Sequence, residues 1–457
     1  MKKLVALLLC LMMVVPATLA SAETAEGKVL NIWCWNDEFQ SRFNAYYPEV
    51  KEIAEDKSTT TLNDGTIVKW TINPNEGNNY QNKLDEALRA QESAAADDKI
   101  DIFLIEADYA LKYVDSPYTL DVKADIGLTD EDLGGQYKYT QEIATSADGK
   151  LKAVTWQATP GLFAYRRSIA KDVLGTDDPD AVQEALADWD KFNAVAEQAA
   201  AKGYYMLSGY DDAYRTFSNN VSAPWVADDG ETVVVDANLM KWVDQTKTYT
   251  EKGYNHKSSL WDATWAADQG PTGKVFGFFY STWGINFTLL GNSLATPTAE
   301  GGKEEVGNGI YGDYAVCEGP QPYYWGGTWI CGAAGSDNLE TIKDVMLKLT
   351  CDEAIMKQIT MDTQDYTNNE KAMNEIASSD YKSDFLGGQN HIALFAEAAT
   401  KIDMSNAGPY DQGLNESFQN AFKDYFTGNV EEDAAKANFE TAIKEKYPEL
   451  TDVVWPA

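Results

Sequence analysis

Three short apolar runs, separated by stretches of helical periodicity, dictate what the first hundred residues can fold into. VLNIWCW (29–35), IVKWTI (67–72) and IDIFLI (100–105) are strand-length and rich in β-branched and aromatic side chains. Asn36 to Ala45, Tyr80 to Gln91 and the segment EADYALKYV (106–114) have the polar starts and amphipathic spacing of helices. Strand and helix in alternation predict α/β layering on a largely parallel sheet. Ligands of such sheets sit beyond the carboxyl ends of strands. That rule puts forward Trp35, Asn36, Asp37 and Glu38 after the first run, and Glu106, Asp108 and Tyr109 after the third.

The pattern changes near Leu151. LKAVTWQATPGLFAYRR reads as an extended segment broken at Pro160-Gly161, then a strand, as in a crossover between two lobes. Gln157 and Thr159 lie in it. A helical stretch follows, clearest from Ala181 to Lys202. Val275 to Tyr280 returns to strand and runs into Ser281-Thr282-Trp283-Gly284. Helices are expected near 339–350, 352–361, 414–426 and 431–446, and a glycine-rich loop or hairpin near 300–312. A chain of 457 residues is large for one core. The expected division is 28–157 with 335–383 in the first lobe, and 158–334 with 384–457 in the second.

One segment does not read as ordinary core. GPQPYYWGGTWICGAAGS (319–336) gathers Tyr323, Tyr324, Trp325 and Trp329 around two prolines and the pair Gly326-Gly327. Tyr and Trp offer a flat apolar face with a polar edge, and glycine permits close backbone approach. Flat faces beside hydrogen-bonding groups suit a sugar ring, which has a C–H face and a hydroxyl rim. An aromatic corner of the core is the plainer alternative.

The amino end has the form of an export signal: Lys2 and Lys3, an apolar run from Leu4 to Val15, and the small-x-small site Ala20-Ser21-Ala22, with cleavage expected before Glu23. Cys10 sits inside the apolar run after Leu8-Leu9, which does not make a lipid-anchoring site. The expectation is an exported, soluble protein, extracellular or periplasmic. The formal net charge of -35 repels nucleic acid and anionic lipid. Beyond the signal remain Cys34, Cys317, Cys331 and Cys351. Export permits disulfides; Cys317 and Cys331, which flank the aromatic segment, are the first pair to consider, and free thiols fit equally.

Motifs for chemistry are sparse. With two histidines, His256 and His391, neither in a metal or triad pattern, a histidine-rich metal site is excluded. No nucleophile elbow or phosphate-binding Walker loop occurs. GNGIYG (307–312) matches a dinucleotide fingerprint literally but follows the charged GGKEEV rather than a strand. The acidic clusters 130–132, 177–180 and 228–229 lack calcium-loop spacing. No cofactor and no metal is implied.

Taken together, VLNIWCWND, IDIFLIEADYALKYV, TWQATPGLFAYRRSIAKDVLG, FGFFYSTWGIN, PQPYYWGGTWICGAAGSDN and PYDQGLNESFQNAFKDYFTGN make the chain resemble the extracellular solute-binding proteins of carbohydrate ABC transporters. That family includes maltose-binding protein. The resemblance spans the chain after the signal. It implies two α/β lobes of the type II periplasmic-binding-protein kind, closing on a sugar, a membrane permease as partner, a monomer, and no enzymatic activity. By position it implies ligand contacts from Trp35, Asn36, Asp37, Glu38, Asp108 and Tyr109 in the first lobe. Gln157 and Thr159 would serve at the crossover, Trp283, Tyr324 and Trp325 in the second lobe, and Tyr410 and Asp411 in addition. Two rivals stay open: a secreted glycoside hydrolase, since chance carboxylate pairs abound, and a same-fold receptor for a peptide, polyamine or metal.

Overall fold

The computed structural model describes residues 28–456; the export signal expected at 1–22 lies outside them. The strands before the crossover are β1 (Val29–Cys34), β2 (Val50–Ile53), β3 (Thr59–Leu62), β4 (Ile67–Ile72), β5 (Ile102–Glu106) and β6 (Val154–Thr155). After it come β7 (Gly161–Arg166), β8 (Leu207–Gly209), β9 (Thr232–Val234), β10 (Asn255–Ser258), β11 (Gly277–Ser281), β12 (Tyr314–Cys317), β13 (Thr328–Gly332) and β14 (Asp452–Val454).

A seven-stranded sheet in the order β2-β3-β4-β1-β5-β13-β6 forms the first lobe. Only β4, β1 and β5 run parallel; the remaining pairs are antiparallel. The sheet is therefore mixed, not largely parallel. The departure has two sources. β2, β3 and β4 form a meander closed by short turns, which antiparallel strands allow and parallel ones do not. β13 then returns from the second lobe and pairs with β5 against its direction. β5 is buried on both faces, as a central strand with covered sides should be. β1 alternates, with Leu30, Ile32 and Cys34 fully inside.

The second lobe is built on a three-stranded antiparallel sheet, β11-β7-β12, with β7 wholly buried. Two small parallel pairs, β10-β8 and β14-β9, flank it. The crossover from β6 to β7 is met by the return segment between β12 and β13. Their junction explains one glycine: a Cβ on Gly161 would lie 2.1 Å from the Tyr323 ring. The Tyr323 hydroxyl in turn donates to the Leu162 and Tyr280 carbonyls, fastening the aromatic segment onto the second sheet.

Three expectations need correction. Because β13 pairs with β5, the second lobe cannot extend to 334 as expected; Thr328–Gly332 belongs to the first sheet. The stretch 181–202 is two helices, Pro179–Ala185 and Trp189–Ala201. Asp178 caps the first with Pro179 at its opening position, and Asp188 caps the second by accepting from the Lys191 amide at 2.8 Å. Third, Cys317 and Cys331 form no disulfide: they stand on strands of different sheets, and all four cysteines described are free thiols. Burial pushes the Cys317 thiol up to about 12. No helix among the described residues is long and apolar enough to cross a membrane.

Candidate functional site

Between the lobes lies a cavity of about 410 Å³. Ala107, Asp108 and Leu111 reach it from the carboxyl end of β5. The opposite wall includes Tyr214 and Arg215 of the short helix Tyr214–Ser218, together with Trp261 and Tyr324. The floor carries Asp411 and Asn415 of the helix Asp411–Phe426. Asp108, Tyr324 and Asp411 are thus brought together from segments remote in sequence.

Arg215 is the electrostatic centre. Its guanidinium grips Asp108 with two hydrogen bonds, 2.8 and 2.6 Å, and lies 5.5 Å from the centre of the Trp325 ring. The fork geometry and the aromatic face are both suited to arginine. Because Asp108 stands in the first lobe and Arg215 in the second, this ion pair crosses the cleft. Gln81, donating to Gln412 at 3.2 Å, crosses it again. Burial alone would raise the Asp108 carboxyl, but Arg215 more than offsets that and holds it below the usual range. Glu106 behaves oppositely. Burial, then the adjacent Asp108 charge, push it up to about 8 against the pull of Arg215. Burial, reinforced by the Asp108 charge, raises Asp411 to about 7 despite the Gly408 amide.

Of the tryptophans here Trp261 lines the cavity; Trp283 and Trp325, which the sequence put forward, lie outside the lining and back it. Trp283 donates its ring N–H to the Trp325 carbonyl at 3.0 Å and meets the Trp325 ring edge-on at 5.2 Å. Trp261 stacks on Trp283 at 6.1 Å and 14° and stands edge-on to Trp325. Trp325 is buried, Trp283 half-buried, and Trp261 55 % exposed. Trp261 also has a left-handed backbone, φ 71°, and precedes a cap: Asp262 accepts from Trp265 and Ser259 amides and opens the next helix. Gly326 and Gly327, φ 72° and 112°, bend the aromatic segment so that it passes close to Trp283 and Glu106.

The other predicted residues divide. Glu38 and Gln157 form a second polar cluster with Asp365: the Gln157 amide donates to Glu38 at 2.8 Å and to Asp365 at 3.2 Å. Burial, then the Asp365 charge, lift Glu38 to about 7. Asp365 also accepts the Tyr366 amide at 2.8 Å. Thr159 is committed to support, donating to the Gly326 carbonyl at 2.7 Å and accepting the Trp325 amide with its own carbonyl. Trp35 packs edge-on against Tyr80 and Tyr109; the buried Tyr109 hydroxyl has no partner. Asn36 accepts the Glu38 amide, and Asp37 is exposed beside it. Tyr410 turns away, packing on Tyr447 and donating to Glu449.

Sequence reasoning missed Arg215, Trp261 and Asp365. Trp261 alone left a trace, as a tryptophan in the polar stretch SSLWDATW. Among the described residues, no group of three or more His, Cys, Asp or Glu side chains is placed to hold a metal.

Two α/β lobes with an aromatic and carboxylate-lined cavity between them define a solute-binding protein of the two-lobed kind. The sequence profile of the bacterial extracellular solute-binding proteins matches residues 57–386, and the chain belongs to that family. No curated protein sequence matches it. Among solved structures, an extracellular solute-binding protein of family 1 superposes with a TM-score of 0.69 at 15 % identity, covering 92 % of this chain and 99 % of its own. The ABC-transporter-associated binding protein of B. animalis subsp. lactis, solved with β-1,6-galactobiose, gives 0.67 at 16 % identity, covering 93 % and 100 %. The galacto-N-biose/lacto-N-biose I-binding protein of the ABC transporter of Bifidobacterium longum, solved with lacto-N-biose, gives 0.64 at 12 %, covering 93 % and 98 %.

Proposed function

We propose that this protein is the substrate-binding component of an ABC importer, capturing a carbohydrate, specifically an oligosaccharide, between its lobes and delivering it to a membrane permease. The observation that carries this reading is a cavity lined by Trp261 and Tyr324 beside the polar set Asp108, Arg215 and Asp411, with Trp283 and Trp325 packed behind Trp261. Indole faces stack on sugar C–H faces, while carboxylates and amides orient hydroxyls. A cavity of about 410 Å³ falls within the range of small-molecule sites. The disaccharides bound by two structural relatives support the same choice. Binding shifts the population toward closure through contacts to both lobes, without covalent chemistry. The protein acts as an exported monomer, and the ligand contacts come from Asp108, Tyr324 and Asp411, which line the cavity, with Trp283, Trp325, Glu38 and Gln157 outside that lining joining them on closure.

The test is a melting curve of the chain from residue 23 against mono- and oligosaccharides, with polyamines and amino acids alongside. A ligand at about 100 times its Kd adds roughly 2.7 kcal/mol of stability. A rise with one glycan class, and an intact glycan afterwards, supports the reading. A rise confined to polyamines or amino acids, or breakdown of the glycan, rejects it.

A further inference from the structure

The charge of the cavity is unbalanced. Asp108, Asp211, Asp403, Asp411 and Glu416 line it, and Arg215 is the one cationic side chain among the lining residues. Arg215 is already spent on Asp108. Asp403 accepts locally from Ser405, Asp211 from the Leu260 amide, and Glu416 pairs with Lys446 at 3.2 Å. Asp411 is different. One carboxylate oxygen accepts the Gly408 amide at 3.0 Å, while the other is buried with no partner. No cation offsets Asp411, and the charge that bears on it is that of Asp108. Tyr214 and Tyr324 line the same cavity as Asp411, and its charge, with that of Asp108, adds to burial in raising their phenols.

A neutral sugar leaves this carboxylate with hydroxyl donors only. A protonated amine supplies several N–H donors and the missing positive charge, and it is attracted to aromatic faces. The same cavity wall already shows that grouping once, in Arg215 between Asp108 and the Trp325 ring. We propose that the ligand is an amino sugar: a glycan with an unacylated, protonated amine, its ammonium hydrogen-bonded to Asp411 beside Tyr324 and a sugar ring on the open face of Trp261. This rests on the carbohydrate reading above and narrows it.

Calorimetric titration of the chain from residue 23 at pH 7 tests it, with glucosamine and galactosamine, their β-1,4 and β-1,6 oligomers, the N-acetylated counterparts, and neutral glucose and galactose oligomers. At least one free-amine glycan should bind at least tenfold tighter than its acetylated and neutral partners, and its affinity should fall as salt rises. Asp411→Asn should remove that preference, costing the amine at least tenfold more affinity than it costs the N-acetylated or neutral counterpart, and should flatten the salt dependence. The melting temperature of Asp411→Asn, unchanged or higher, separates this from misfolding; if it falls, Asp411→Glu, which keeps the charge, must retain the preference. Neutral or acetylated glycans binding as tightly as the amine overturn the amino-sugar inference and leave the carbohydrate reading standing. Binding of spermidine with no glycan bound overturns both, and so does an absence of binding across the whole panel.

Discussion

Trp261 concentrates three unusual properties in one side chain. It is largely exposed, its backbone is left-handed, and its ring stacks on Trp283. A left-handed non-glycine residue costs on the order of 1 kcal/mol or more, so its persistence at the cavity mouth points to use. Trp261→Gly relieves the backbone, since glycine accepts this conformation, but gives up the ring contacts with Trp265, Trp283 and Trp325, so it should lower folding stability by about 1 kcal/mol and weaken ligand by roughly 1–3 kcal/mol. Chemical denaturation and calorimetry on the same variant check both signs; equal affinity would remove Trp261 from the site. The residues most legible in the sequence were those at strand ends. Asp108 follows β5 directly, and its place at the cavity follows from the sheet rule. Arg215 was illegible, because its meaning comes from a partner 107 positions away, and nothing local marks it. Tyr410 shows the converse: an aromatic beside Asp411 in sequence whose ring has its own packing partner in Tyr447.

In the first hundred residues β1, β4 and the helices after β1 and β4 were readable because hydrophobic period is a local signal; β2 (VKEI) and β3 (TTTL), short, polar and toward the sheet edge, gave no such signal and were not read. Sheet direction was not readable either, since β13 reaches β5 only after the chain has built the second lobe. The break at 186–188 was missed for a different reason: alanine-rich periodicity continues across it, and the cap at Asp188 ends one helix by starting another. The junction of β7 with the aromatic segment gives a sharp test of packing. Gly161→Ala places a methyl inside the space of the Tyr323 ring, whose hydroxyl is held by two carbonyls. The ring cannot swing aside without losing both bonds, so the change should destabilise by about 2–4 kcal/mol. Adding Tyr323→Ala should make the effect of Gly161→Ala nearly vanish. A full penalty in the double variant would show that the clash lies elsewhere. Melting curves of the four proteins read this directly.

For the whole molecule, buried acids set the response to pH. Burial, with neighbouring charges, raises Asp211 to about 6, Glu38, Asp212 and Asp411 to about 7, and Glu106 to about 8. Between the ordinary carboxyl value near 4 and these values, the folded protein holds protons that the unfolded chain has released, so stability falls as pH rises and is lowest above about 8. His391 acts the other way: burial lowers it to about 4, so stability is lost as pH falls below about 6.5 and through 4. Below pH 4, Asp64 and Asp148, held near 2 by their lysine partners, add a further loss. The optimum therefore lies in mildly acidic solution. The melting temperature at pH 5.5 should exceed that at pH 8.5 by roughly 3–8 °C. A higher value at pH 8.5 would mean that these carboxyls are solvated in the folded protein. The formal net charge of -35 works in the same direction, since self-repulsion relaxes as acids are protonated.

Because Asp108 and Arg215 belong to opposite lobes, the receptor carries a clasp that needs no cargo. A partly exposed ion pair contributes about 1 kcal/mol at most, enough to multiply the shut, unloaded population roughly fivefold. In the importer role proposed above, shut but unloaded copies would compete with loaded ones for the same permease, so the clasp would slow import whenever cargo is scarce. Salt weakens the pair, and small-angle scattering of the unloaded protein should show it widening as ionic strength rises. The saltiness of its surroundings would then help to set how many receptors queue at the transporter with nothing to deliver.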